Sequence, residues 1–285
     1  HKLFVRKIDS DLEQELIFSD EKIYVPSISL IQRDKNTDQI YLGYSSPKTP
    51  SRVYSYNLNT KEKKLVKEQE IPSGHNPEDY IVQRVECVSH DGRMIPITIV
   101  KRKDIKQDGK SKVLLYAYGA YKHSLNPSFS ASRFALIDRG ITFALAHVRG
   151  GGDLGDAWHE EAKKNLKKNT FEDYIACANF LIENKYTHKG GLCFYGGSAG
   201  GLTGGAVINM RPDLFFSALL LVPFVDTLTT MLNENLPLTP AEWELWGNPI
   251  KEKKHFENIL SYSPYNNLEK TSYPNMLVTT SLFDN

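Results

Sequence analysis

The stretch Leu192-Cys193-Phe194-Tyr195-Gly196-Gly197-Ser198-Ala199-Gly200-Gly201 decides how the rest of the chain is interpreted. An apolar run leads into a glycine-rich turn, and a segment of small residues follows. This order is typical of the strand, turn and helix of a Gly-x-Ser-x-Gly nucleophile elbow, with Ser198 at its tip. A serine in so tight a turn leaves no room for a Cβ two residues before or after it, which explains glycine at 196 and 200.

Composition excludes several classes of function. The 285 residues carry 35 basic and 34 acidic side chains, so nothing indicates a nucleic-acid partner or an anionic membrane. Charged residues interrupt every apolar run before about 18 residues, which predicts no transmembrane segment. The three cysteines, Cys87, Cys177 and Cys193, lie in apolar surroundings and without metal-ligand spacing. We expect buried cysteines, no metal, no cofactor and a cytoplasmic location.

The chain before the elbow divides in two. Residues 1 to about 70 alternate β-branched and aromatic runs with polar turns, which predicts strands at 2–6, 27–32, 39–44 and 52–58. The segment from Ile71 to Tyr80 carries two prolines and a glycine and predicts a linker. We therefore expect one domain at 1–72, the last part of a β-propeller, and a second at 73–285.

The second domain reads as strands alternating with helices. Such a pattern favours a mostly parallel sheet with helices on both faces, and the elbow makes it an α/β-hydrolase fold. Thr170 is expected to cap a long helix, with Asp173 three residues on. The predicted strands are 82–88, 93–101, 113–118, 142–147, 192–195, 218–222 and 276–281, and the predicted helices 132–138, 170–185 and 199–209.

A serine nucleophile needs a base, and the base needs a carboxylate to orient it. In α/β-hydrolases they follow in the order Ser, Asp, His, and Asp284 has the expected place after the last predicted strand. No histidine follows it, so we expect this chain alone to be inactive. His147 is expected to position the loop after its strand, and His255 to face solvent on a helix. The lysines at 163, 164, 167 and 168 are expected on a solvated face.

Seven strings, the elbow among them, carry a resemblance to a known family. From about residue 80 the chain resembles the catalytic domain of the prolyl oligopeptidase family of serine peptidases, in particular its oligopeptidase B branch. The resemblance implies a protein that continues beyond both ends of this chain and cleaves short basic peptides after Arg or Lys. The matching strings are Tyr116–Tyr121, His147–Gly152, Gly196–Gly201, Asn209–Phe215, Val222–Asp226, Glu242–Pro249 and Tyr262–Pro264.

The resemblance also implies roles for individual residues. Ser198 would be the nucleophile and Asp284 the triad acid, with the histidine outside this chain. The Tyr118 hydroxyl and the Ala199 N–H would form the oxyanion hole. The resemblance further implies substrate contacts at Glu242, Trp243, Glu244, Tyr121 and Arg149.

Two carboxylates two residues apart face one pocket only if the backbone is extended, so the two-glutamate interpretation predicts a non-helical segment at 242–244. Asn126 and Ser128 stand where many relatives carry aspartates, which puts a preference for dibasic sites in doubt. Two other hypotheses remain open: an esterase on the same fold, and a non-catalytic binding module. The β-rich first 70 residues argue against the esterase. The presence of an elbow, an oxyanion tyrosine and a triad aspartate argues against the binding module.

Overall fold

The computed structural model describes residues 2–6, 13–16, 21–28 and 37–282. Within this part the chain forms three sheets. The predicted strand at 27–32 and the triad acid at Asp284 fall partly or wholly outside the described residues.

The first two sheets are small and antiparallel. One pairs β1 (Phe4–Arg6) with β2 (Glu13–Glu15), and the other is a four-stranded meander. The apolar core of this first segment consists of Leu16, Leu42, Tyr44 and Tyr56. The sequence did not predict β2 or β6, because both are highly charged and largely exposed. The meander strands are β3 (Val25–Ile28), β4 (Gln39–Ser45), β5 (Arg52–Asn57) and β6 (Lys63–Glu68).

The third sheet has seven strands in the order β13-β12-β11-β9-β10-β8-β7. The strands from β10 to β13 run parallel to β9 or to one another, and β8 and β7 pair antiparallel at the other end. This arrangement confirms the α/β-hydrolase prediction. The strands are β7 (Tyr80–Val88), β8 (Met94–Arg102), β9 (Val113–Tyr116), β10 (Thr142–Ala146), β11 (Leu192–Gly197), β12 (Phe215–Leu221) and β13 (Asn275–Thr279).

Helices cover both faces of this sheet. Val113 and Leu115 of β9 contribute to the core that contains the helices α3 and α4, whereas Leu114 contributes to the core beside α1. The continuous apolar strands are therefore buried on both sides, as expected for parallel strands. The helices are α1 (Ala131–Ile137), α2 (Asp156–Glu160), α3 (Lys168–Glu183), α4 (Ala199–Met210), α5 (Thr227–Leu232), α6 (Thr239–Trp246) and α7 (Lys253–Leu260).

The start of α3 corrects the sequence prediction. The helix begins at Lys168, so Thr170 lies in its first turn rather than at the cap. The Thr170 hydroxyl instead donates to the Arg149 carbonyl at 2.9 Å. The predicted apolar stripe of the helix is correct, since Phe171, Tyr174 and Ala178 are all buried.

The three cysteines are free and buried, as predicted. Among the residues described, no helix is both long and apolar enough to cross a bilayer.

Candidate active site

Ser198 lies between the end of β11 and the start of α4, in a conformation that few non-glycine residues adopt. Its φ of 53° and ψ of −125° place it outside the usual regions for an L-residue. The turn is held from two sides: the Ser198 N–H donates to Leu221 O at 2.9 Å, and the Ser198 carbonyl accepts from Phe224 N at 3.0 Å. The serine is thus presented at the carboxyl end of the parallel strands.

The neighbouring glycines are required by close packing, as predicted. A Cβ on Gly196 would lie 2.9 Å from the Gly200 carbonyl oxygen. A Cβ on Gly200 would lie 3.1 Å from Ala117 O and 3.2 Å from the Tyr118 ring. Both contacts are tighter than a side chain tolerates without movement of its neighbours, so the elbow and the segment after β9 are packed directly together.

The Tyr118 side chain lies beside Ser198. Its hydroxyl interacts with Ser198, and its backbone is fixed by a 2.9 Å bond from the Thr203 hydroxyl to Tyr118 O. Burial raises the pKa of Tyr118, while the interaction with Ser198 opposes that shift. The phenol is therefore protonated at neutral pH and able to donate.

Ala199 is the first residue of α4, and the N–H groups of a first helical turn have no acceptor within their helix. Ala199 directly follows Ser198 in the chain, and the Tyr118 hydroxyl interacts with Ser198 from the segment after β9. Together the Ala199 N–H and the Tyr118 hydroxyl could donate to an oxygen that becomes negative next to the serine.

Glu242 lies on a helix, so the predicted extended backbone at 242–244 is wrong. Pro240 in the first turn and Gly247, with a φ of 97° after the last residue, are the start and stop signals of α6. The two oxygens of Glu242 are both engaged: Oε1 accepts from the Tyr121 hydroxyl at 2.9 Å, and Oε2 accepts from Trp246 Nε1 at 2.8 Å. Two neutral donors thus hold one carboxylate in a fixed orientation.

The other two residues of the expected specificity site turn away. Glu244 is about 80% exposed and pairs with Lys164 at 3.0 Å. Trp243 packs against the core and donates from Nε1 to Met231 O at 3.0 Å. A helix separates residues two apart by about 200°, so Glu244 cannot share a pocket with Glu242, and Trp243 is held on the core side of α6.

Arg149, which was expected to contact substrate, lies in a buried network of ion pairs. Its side chain is 1% exposed, and its guanidinium donates to Asp173 at 2.7 and 2.9 Å and to Asp91 at 2.5 and 3.2 Å. Burial opposes its charge, but the two carboxylates outweigh burial and raise the pKa of Arg149. With its donors engaged inside the protein, Arg149 stabilises the loop after β10, and its contact with substrate stays a prediction.

Comparison with known proteins assigns this geometry to a family. Residues 127–285 match the family model "Prolyl oligopeptidase family". The chain belongs to the prolyl oligopeptidase family.

Similar sequences and structures agree with this assignment. The chain is 42% identical over 281 residues to "Dipeptidyl aminopeptidase BI" of Pseudoxanthomonas mexicana, covering 98% of this chain and 38% of that protein. It is 37% identical to "Protease 2" of Moraxella lacunata, covering 97% and 39%. The structure of oligopeptidase B from Trypanosoma brucei, a closed form with covalently bound antipain, superposes with a TM-score of 0.90 at 38% identity, covering 97% and 40%. The chain thus spans about two fifths of the length of the relatives it matches.

Other residues expected to matter in a member of the prolyl oligopeptidase family have varied outcomes. Asp284 lies outside the described residues, and its role stays a prediction. Among the residues the structure describes, no histidine is hydrogen-bonded to Ser198. His147 bonds to Asp153 at 2.7 Å and to Thr98 at 2.8 Å, and so anchors the loop that follows it.

His255 was expected to face solvent, and that prediction is wrong. Its ring is buried, and Nδ1 accepts from the backbone N–H of Asn248 at 3.1 Å. The ring also packs against Gly247, so His255 supports the end of α6.

Sequence reasoning missed two residues at the site. Trp246 could have been found, because it lies four residues after Glu242 on a segment with helix start and stop signals. Lys167 could not, since a lysine run predicts a solvated face and nothing in the pattern singles out the one that is buried.

A separate cavity of about 630 Å³ lies between the first β segment and the domain that contains the seven-stranded sheet. Its lining includes Lys22, Arg84, Asn126, His147 and Asp153. Asn126 is uncharged but Asp153 is acidic, so the predicted doubt about a dibasic preference stays untested.

Proposed function

We propose that the protein is a serine oligopeptidase that hydrolyses short peptides after Arg or Lys through an acyl-enzyme at Ser198. In this proposal residues 1–72 belong to a β-propeller and residues 73–285 to the catalytic domain. Asp284 would be the triad acid, with its histidine in a part of the protein outside this chain. A cytoplasmic location, consistent with three free buried cysteines, belongs to the same proposal.

One observation carries the specificity. The Glu242 carboxylate is oriented by the Tyr121 hydroxyl and Trp246 Nε1, and it forms no ion pair with any other residue in the described part of the chain. Tyr121 packs near Tyr118, with ring centroids 6.3 Å apart, and Tyr118 interacts with Ser198. A carboxylate that lacks a cation and is joined to the proposed nucleophile through these two tyrosines would select a substrate that brings the cation.

The chemistry follows from the same contacts. Ser198 attacks the carbonyl carbon after a base takes its proton, and the carbonyl oxygen becomes negative. Tyr118 and the Ala199 N–H donate to that oxygen, and the departing amine leaves an acyl group on Ser198 that water then hydrolyses.

The test uses the full-length protein and N-terminally blocked peptide amides that end in arginine, lysine, citrulline or norleucine. We expect arginyl cleavage to exceed citrullyl cleavage by about 100-fold or more, because citrulline has arginine's shape without its charge. Equal rates on all four would contradict the proposal.

A second candidate is release of dipeptides from a free N-terminus, as the name of the 42% identical relative indicates for that protein. The blocked and unblocked versions of each peptide decide between the two. Cleavage only of unblocked dipeptidyl substrates would favour dipeptide release.

A further inference from the structure

Lys167 is buried although it lies in a run of lysines. Its side chain is 1% exposed, whereas that of its neighbour Lys168 is exposed. In the described part of the chain no carboxylate pairs with the Lys167 ammonium. A buried lysine without an ion-pair partner is costly, so its contacts call for an explanation.

The Lys167 ammonium is surrounded by two hydrogen-bond acceptors and two aromatic rings. It donates to the Gly119 carbonyl at 2.5 Å and to the Thr170 hydroxyl at 3.0 Å. Its nitrogen also lies 5.2 Å from the centroid of the Trp246 ring and 5.7 Å from that of Phe171, within the range of a cation–π contact. The hydroxyl proton of Thr170 is already given to Arg149 O, so Thr170 can only accept from Lys167.

Gly119 and Trp246 support different residues of the site. Gly119 directly follows Tyr118, with a φ of 78°, so the position of its carbonyl sets the direction in which the chain leaves the tyrosine. Trp246 holds the Glu242 carboxylate and contacts the Tyr121 ring edge-on at 5.8 Å. The Lys167 side chain therefore contacts both Gly119, which adjoins Tyr118, and Trp246, which orients the Glu242 carboxylate.

We propose that Lys167 is a positioning residue that fixes the Tyr118 hydroxyl and the Glu242 carboxylate relative to each other. The part concerning Glu242 rests on the proposed specificity for basic residues. The part concerning Tyr118 requires only that Ser198 performs acyl transfer.

The protonation state of Lys167 bears on this role. Burial lowers the pKa of Lys167 to about 7, and the charge of Asp173 opposes that shift. Other charged or titratable side chains on the elements around it include Tyr118, Tyr121, Arg149, Lys164, Lys168, Glu172, Glu242, Glu244, His255 and Tyr262. Above its pKa the amine keeps two N–H groups, which suffice for Gly119 and Thr170, and the indole contact loses its charge.

The first experiment needs no substitution. In the full-length protein, kcat/KM is measured for arginyl and for citrullyl substrates between about pH 6 and about pH 8, and the ratio is taken at each pH. The triad acts on both substrates, so its titration cancels in the ratio. We expect the ratio to fall about threefold to tenfold as pH rises through 7. A ratio independent of pH would contradict the link between Lys167 and Glu242.

The second experiment compares Lys167→Met with Lys168→Met. Methionine keeps most of the length and volume but removes every donor. We expect Lys167→Met to lower kcat about tenfold or more on both substrates and to remove the pH dependence of the ratio, and Lys168→Met to change neither. Wild-type kcat on both substrates in Lys167→Met would overturn the proposal.

The outcomes separate this proposal from the proposed function. If wild-type protein shows no preference for arginine at any pH, the proposed specificity fails, yet the kcat of Lys167→Met on the citrullyl substrate still tests the Tyr118 half. If Lys167→Met does not fold, the pH dependence of the arginyl-to-citrullyl ratio in the wild-type protein still tests the link between Lys167 and Glu242.

Discussion

The carboxylate of Glu242 and the indole nitrogen of Trp246 are joined by a 2.8 Å hydrogen bond across one turn of α6. Because the helix repeats every 3.6 residues, the two side chains share a face, and Glu244 lies on the opposite side. In the proposed function a basic side chain of the substrate would therefore meet one oriented carboxylate rather than two.

We predict that Glu242→Gln lowers kcat/KM for arginyl substrates by about 100-fold, equivalent to roughly 3 kcal/mol, in the full-length protein. The loss arises because the buried guanidinium of the substrate keeps no opposite charge. Cleavage after norleucine should be unchanged or faster. The matched control is Glu244→Gln, which removes only an exposed pair with Lys164 and should change kcat/KM less than about twofold. Equal losses in the two variants would show that the site has two carboxylates after all.

We predict that Tyr118→Phe lowers kcat by about 10²-fold to 10³-fold while KM changes little. The hydroxyl donates most strongly once the substrate oxygen carries negative charge, so its removal affects the transition state more than binding. Steady-state kinetics on an arginyl amide measure both constants. A rise in KM alone would assign Tyr118 to substrate binding.

We predict that Arg149→Met lowers the free energy of unfolding by about 3–5 kcal/mol, because it leaves the fully buried carboxylate of Asp173 without an opposite charge. Urea denaturation measures the change. Arg93→Met is the control: Arg93 is more than half exposed and pairs with Glu161, and its loss should cost no more than about 1 kcal/mol. Similar losses in both variants would mean that the Arg149 network is no stronger than a surface pair.

We predict that Lys167 makes the protein more stable relative to Lys167→Met as pH rises from about 7 to about 10. Its pKa is about 7 in the folded protein, against an ordinary value of 10.5. Between these values the unfolded chain binds more protons than the folded one, so the free energy of unfolding increases with pH. Below about pH 6 both states hold the proton, and the difference between the two proteins should be flat.

The midpoint of urea denaturation, measured for both proteins across this range, checks the prediction. A difference that does not change between about pH 7 and about pH 10 would place the folded pKa of Lys167 near its ordinary value.

Local patterns predicted the sheet, the elbow and its glycines, because apolar runs and small residues report burial directly. They failed where a distant partner decides the environment. Arg149 and Lys167 are cations that any pattern assigns to solvent, and both are buried by carboxylates, carbonyls or an indole far away in sequence.

The error at α6 has another cause. An assumption about function, that Glu242 and Glu244 act together, led to an extended backbone there. The local signals, Pro240 and Gly247, correctly indicate a helix. For the backbone conformation at 242–244, the helix start and stop signals are better evidence than an assumed pair of substrate-binding glutamates.

The helix behind the nucleophile has a consequence for how the protein folds. α4 contains Gly200, Gly201, Gly204 and Gly205, and each glycine costs about 1 kcal/mol of helix stability relative to alanine. As an isolated segment it would not be helical; it becomes so only when Phe194, Pro223 and Pro264 pack against those glycines. Ser198 is therefore assembled only after the surrounding tertiary structure has formed, and a partly folded chain carries no working nucleophile. For the proposed peptidase this means that an unfinished chain would not act on itself or on its neighbours.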